Sequence, residues 1–156
     1  MFFRFIIVQS IIYYKHQQGN QLFTFSTIRL NREFVTMSES LDKVCDVDID
    51  GYGRFKYILI NVQDETNNAS KFVVRGHARA QWHNDIWDKF GQQVRPISGL
   101  QTKCVGGGRI EHDPDLRTIK VYGYSQGFGK ADHEVSVELL KKKYPNYTIT
   151  CSDEGY

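Results

Sequence analysis

The chain has 156 residues, 40% of them hydrophobic and 24% charged, which suits one globular domain and leaves little room for two. Its formal net charge of +2 is unevenly spread: from Met37 onward 16 Lys and Arg stand against 17 Asp and Glu, so the folded part lacks the basic footprint of a nucleic-acid binder. The cysteines Cys45, Cys104 and Cys151 are odd in number and form no CxxC pair, which argues against a disulfide framework or a zinc site and for a reducing compartment.

Residues 1–40 read as an N-terminal extension and residues 41–156 as the domain. The apolar run from Phe2 to Tyr14 is broken by Arg4, Gln9 and Ser10 and is too short to span a bilayer. The leader is basic and poor in acids, which fits a mitochondrial-type presequence loosely. The plainer reading is that Met37 serves as a start and the leader is an upstream extension without a fold. The expected location is the cytoplasm, or the mitochondrion if the leader is a presequence. No membrane association is expected, and nothing demands more than a monomer.

From Arg54 the pattern becomes regular. Arg54–Val62 alternates, with Phe55, Tyr57 and Leu59 on one face and Lys56, Ile58, Ile60 and Val62 on the other, as in a central strand. A polar turn over 64–70 leads to a short strand over 71–75, so the two predict a hairpin. Ala78–Phe90 predicts a helix with Trp82, Ile86 and Phe90 recurring every four residues and Gly91 as its stop. Gln101–Val105 predicts a short strand running into Gly106-Gly107-Gly108, and Arg117–Tyr124 a further strand. Ala131–Tyr144 predicts a helix with Val135, Leu139 and Leu140 buried and Pro145 as its stop, and Tyr147–Cys151 a last strand. The order β-β-α-β-β-α-β implies an α/β chain in which helices pack on one sheet.

Several places could carry chemistry. His83 stands near a helix start, where the partial positive charge disfavours an imidazolium, so a neutral imidazole there can act as base or nucleophile. The plainer alternative is a surface histidine. Cys104-Val-Gly-Gly-Gly-Arg109 is one residue short of a cysteine-phosphatase loop, but as a glycine-rich turn it could bring Arg109 to an anion. Gly123-Tyr-Ser-Gln-Gly-Phe-Gly-Lys130 follows a strand and precedes a helix, where Ser125 and the N–H groups of Gln126 and Gly127 could bind one phosphoryl group. It is not a Walker A loop, because Ala131 replaces the Ser or Thr that holds magnesium. Lys56, inward on a central strand, needs a partner, a ligand or a route to solvent, and Arg75 is open to the same readings. No metal ligand set or cofactor motif is expected, nor a Ser/His/Asp hydrolase.

Phe55-Lys-Tyr-Ile-Leu-Ile60, Val74-Arg-Gly76, Trp82-His-Asn-Asp-Ile86, Gly106-Gly-Gly-Arg-Ile110, Val121-Tyr-Gly-Tyr-Ser125 and Asp153-Glu-Gly-Tyr156 stand in register over roughly residues 50–156. In these blocks the chain resembles the janus / phosphohistidine phosphatase family, and most of all its insect janus members. The resemblance implies an α+β fold with a single mixed sheet between two main helices and metal-independent hydrolysis of phosphohistidine. It puts the catalytic histidine on His83, the substrate-binding lysine on Lys56, the arginine after the glycine run on Arg109, and the phosphate loop on Ser125, Gln126 and Gly127. Arg75 is carried as a supporting residue. Asn84 and Trp87 depart from the residues expected beside the catalytic histidine. Histidine-phosphorylated proteins are the implied partners, and the janus members add a link to sex differentiation. Two alternatives stand beside the phosphatase: a non-catalytic module that binds a phosphorylated group in a regulatory partner, and a phosphatase built on Cys104.

Overall fold

A computed structural model describes residues 38–153; most of the expected extension and the Glu154–Tyr156 end lie outside them. In chain order the elements are α1 (Glu39–Asp42), β1 (Val47–Ile49), β2 (Gly53–Asp64), β3 (Ser70–His77), α2 (His83–Val94), β4 (Leu100–Asp113), β5 (Thr118–Tyr122), α3 (His133–Lys143) and β6 (Thr148–Ser152). They form one six-stranded sheet in the order β1-β3-β2-β4-β5-β6, parallel at its two outer pairs and antiparallel elsewhere. The sheet is therefore mixed, and the fold is of the α+β type. Among the described residues no helix is long and apolar enough to cross a membrane.

The alternation in β2 places it inside the sheet with both faces covered. Phe55, Tyr57 and Leu59 pack with Ile110, Ile119 and Val121 and with Val137, Leu139 and Leu140 of α3. Ile58, Ile60 and Val62 point the other way, against Ile86 and Phe90 of α2 and Leu41 and Val44 around α1. The two main helices thus cover opposite faces of the sheet. Each fully buried aliphatic or aromatic side chain in these layers is worth about 1.5–3 kcal/mol.

Several expectations need correction. Regular structure begins well before Arg54, where the sequence pattern first becomes regular. Ser38 caps α1, and its hydroxyl donates to the Asp64 carboxylate at the far end of β2. α1 and β1 have four and three residues, too few for a periodicity to show. The second helix starts at His83 rather than Ala78, because the Asp85 carboxylate accepts the Trp82 N–H at 2.7 Å and closes the first turn there. Trp82 is the helix N-cap and 63% exposed, so it is not in the buried stripe. Gly91 does not stop α2, which runs on until Val94 reaches the core. In α3 the buried face includes His133, Ser136 and Val137, with Val135 only half-buried.

The largest difference lies at the glycine run. Gly106, Gly107 and Gly108 are not a turn; they lie within β4, a strand of 14 residues. Across from it, Leu59 pairs with Gly106 and Ile60 with Cys104, so Val105 is the extra residue of a bulge. Beyond Tyr122 the neighbouring β5 ends, and the chain over 129–131 takes its place. Gly107 N–H donates to Gly129 O at 3.0 Å, and Ala131 N–H donates to Gly107 O at 3.2 Å.

Candidate functional site

The β2–β4 register sets Lys56 directly opposite Arg109, on the sheet face that α2 covers. Like charges directly opposite on neighbouring strands repel. Such a pair gains stability when an anion lies between its head groups. Both side chains line a cavity of about 600 Å³, together with Trp82, His83, Asn84, Ser125, Gln126, Gly127 and Phe128. Among the described residues no carboxylate lines it.

His83 is the first residue of α2 and is buried. Its Nε2–H donates to the Gly108 carbonyl at 3.0 Å, which fixes the neutral tautomer and leaves the lone pair on Nδ1. The close approach depends on the glycines. A Cβ on Gly107 would stand 2.9 Å from His83 Cδ2 and 2.7 Å from the Tyr57 carbonyl. Burial holds the His83 pKa below the ordinary imidazole value, the Gly108 hydrogen bond opposes this, and the charges of Lys56 and Arg109 reinforce it.

The loop after β5 completes the cavity. Ser125 and Gly129 exchange backbone hydrogen bonds at 3.1 and 2.8 Å, and Phe128 N–H donates to Ser125 Oγ at 3.2 Å. Gly129, at φ +80°, permits the tight return. Phe128 packs on Trp87 of α2, with ring centroids 6.3 Å apart, so Trp87 ties the loop to the helix that carries His83. Among the described residues the N–H groups of Gln126 and Gly127 make no hydrogen bond. Two amides at the cavity wall are thus available to an anion.

Lys56, His83, Arg109, Ser125, Gln126 and Gly127 are therefore brought together around one space. Arg75 is not. Its buried guanidinium donates to the carbonyls of Val74 at 2.8 Å and Cys45 at 2.7 Å and lies over the Phe90 ring, where it holds the β1 approach to β3. Cys104 does not line the cavity either. Its half-buried thiol has a raised pKa because burial disfavours the thiolate, the opposite of what a cysteine nucleophile needs.

Gly123-Tyr-Ser-Gln-Gly127 has the Gly-x-Ser-x-Gly spelling of a serine-hydrolase elbow. The geometry argues against that role, since among the described residues no histidine is hydrogen-bonded to Ser125 Oγ. His133, also unassigned from sequence, lies on the opposite sheet face. It donates from Nε2 to Gly123 O at 2.9 Å and accepts at Nδ1 from the Tyr57 hydroxyl at 2.7 Å. Asn84, noted in the sequence as a departure beside His83, lines the cavity, and so do Trp82 and Phe128, to which no role was assigned from sequence and whose only sign was adjacency to His83 and to the 125–127 loop. Among the described residues no group of three or more His, Cys, Asp or Glu is placed to hold a metal ion.

Comparison with known proteins agrees in extent with this unit. The Janus/Ocnus family pattern matches residues 41–148. The chain is 53% identical to the sex-regulated protein janus-A of Drosophila orena over 118 residues, 76% of this chain and 86% of that protein. It is 49% identical to the janus-A protein of Drosophila pseudoobscura pseudoobscura over 122 residues, 76% and 81% of the two chains. It is 43% identical to the 14 kDa phosphohistidine phosphatase of Sus scrofa over 121 residues, 74% and 95% of the two chains.

Proposed function

Because the chain belongs to the Janus/Ocnus family, we propose that it is a phosphohistidine phosphatase that hydrolyses the P–N bond of phosphorylated histidine in proteins. The observation that carries this reading is His83: a neutral imidazole whose Nε2–H is tied to Gly108 and whose Nδ1 is left with its lone pair, beside two cations and two amides.

Lys56, Arg109 and the amides of Gln126 and Gly127 hold the phosphoryl oxygens and offset the charge that builds on them. Their placement also orients phosphorus for attack. His83 Nδ1 then takes a proton from a water whose oxygen attacks phosphorus, or attacks phosphorus itself. In either route the P–N bond breaks and its electron pair stays on the substrate nitrogen. In the first, His83 hands on the proton it took from water so that neutral imidazole leaves; in the second, the substrate ring enters already protonated on its other nitrogen and leaves as neutral imidazole. In the second route a phosphorylated His83 forms and is hydrolysed in turn. A short alkaline quench that traps phosphate on His83 identifies the second route, and its absence during turnover identifies the first. A role in sex differentiation, suggested by the janus-A relatives, belongs to the same proposal.

The test is to incubate the full chain with a histidine-phosphorylated protein, with and without chelator, beside a folded His83→Ala variant. Phosphate release by the parent alone is the expected result, with a loss of at least a thousandfold in the variant. Equal release by both removes His83 from its role. Retained binding without release by either favours a binding module.

A further inference from the structure

The cavity is larger than its anion subsite needs. At about 600 Å³ it falls in the range that encloses a drug-sized ligand, whereas Lys56, Arg109 and the 125–127 loop account only for a phosphoryl group. The apolar remainder of the wall comes from Trp82 and Phe128. Phe128 has a structural partner in Trp87, but the Trp82 indole is 63% exposed and belongs to neither core layer. Nor does it serve the helix. An indole has no acceptor to cap with, and the Asp85 carboxylate needs only the backbone N–H of residue 82. A large exposed aromatic with no duty in the fold among the described residues thus stands one residue from His83, at the wall of an anion site.

We infer that Trp82 is the specificity residue of the site: its indole receives the aromatic ring that bears the phosphoryl group, so that the site selects phosphoimidazole over ringless phosphoramidates. This rests on the phosphatase reading above. A flat π-face stacks on an imidazole ring at little conformational cost, and its contribution is gained only by a substrate that carries a ring.

The experiment compares kcat/KM for a phosphohistidine peptide with kcat/KM for phosphoramidate, using the full chain and its Trp82→Ala and Trp82→Phe variants. The ratio of the two is expected to fall roughly tenfold in Trp82→Ala, mostly through KM, and to recover in Trp82→Phe. In the unmodified chain, phenylphosphonate is expected to inhibit more tightly than inorganic phosphate, a measurement that needs no variant to fold. A ratio unchanged in Trp82→Ala, a Trp82→Phe ratio as low as that of alanine, or equal inhibition by the two anions overturns the inference and leaves the phosphatase reading standing. Hydrolysis of neither substrate by the unmodified chain removes that reading, and the inference with it.

Discussion

His83 is held neutral by burial first and by the Lys56 and Arg109 charges after that. An imidazole with a depressed pKa keeps its lone pair into mildly acidic solution. The kcat/KM profile is therefore expected to be level at neutral pH and to fall only below the ordinary imidazole value of about 6.5. Replacing a neighbouring cation by a neutral group removes a repulsion from imidazolium, so His83 binds a proton more readily. Lys56→Gln and Arg109→Gln should each shift the acid limb to higher pH, besides lowering kcat/KM by about 10²–10³-fold through lost charge stabilisation. Both effects are read from one pH–rate series. An acid limb that stays in place in both variants would count against the electrostatic coupling. At this scale much was legible. Lys56 stood out as a cation in an apolar strand, and His83 as an imidazole at a helix start. Their proximity to Arg109 was not legible from residue types, because it is set by a strand register between positions 53 residues apart.

The decisive element is β4. Its three glycines read as a turn because glycine most often marks one. Here they thin a central strand so that other groups can approach both of its faces. On one face Gly107 admits His83 and Ser125. On the other, Gly106 at φ +145° lies under the 130–131 backbone, where a Cβ would meet Lys130 O at 2.5 Å, and Gly108 lies under Tyr57 and His133. Gly107→Ala should therefore push the imidazole off its carbonyl anchor. The expected result is a loss of order 10²-fold in kcat, from a misplacement of about 1 Å, with a cost of about 1–3 kcal/mol in stability from overpacking. Denaturant unfolding beside steady-state kinetics separates the two, and wild-type kcat in this variant would refute the packing account. α2 shows the same lesson on a smaller scale. The four-residue repeat located the helix but extended it back to Ala78, because only the Asp85 contact with the residue-82 N–H marks where the first turn closes.

Across the whole molecule two buried histidines, His83 and His133, carry depressed pKa values, in both cases chiefly through burial. The unfolded chain protonates these rings near pH 6.5, whereas the folded chain resists until lower pH. The unfolded state thus binds more protons in that window, and stability is lost as pH falls from about 6.5 toward the folded values. Guanidinium midpoints should be lower at pH 5.5 than at pH 8. Tyr57→Phe removes the hydroxyl that His133 Nδ1 accepts from and leaves a buried acceptor unpaired. It should destabilise the fold by about 1–3 kcal/mol, read as a lower midpoint with unchanged slope. A midpoint equal to that of the parent would show that the Tyr57–His133 bond contributes nothing net.

Periodicity and residue chemistry determined the order of the elements from β2 onward, the central place of β2, and the set of residues that are candidates for holding a phosphoryl group. Those properties are local, since alternation and helical repeats are written in neighbours along the chain. Tertiary structure alone decided which of the set meet. It set Lys56 against Arg109, turned His83 onto Gly108, and folded the 125–129 loop against β4 at Gly107. It also removed Arg75 to the β1 side and Cys104 to the edge of the core. Strand pairing across long sequence separations and the close backbone approach that glycine permits produced these contacts. Neither leaves a period in the sequence from which it could be read.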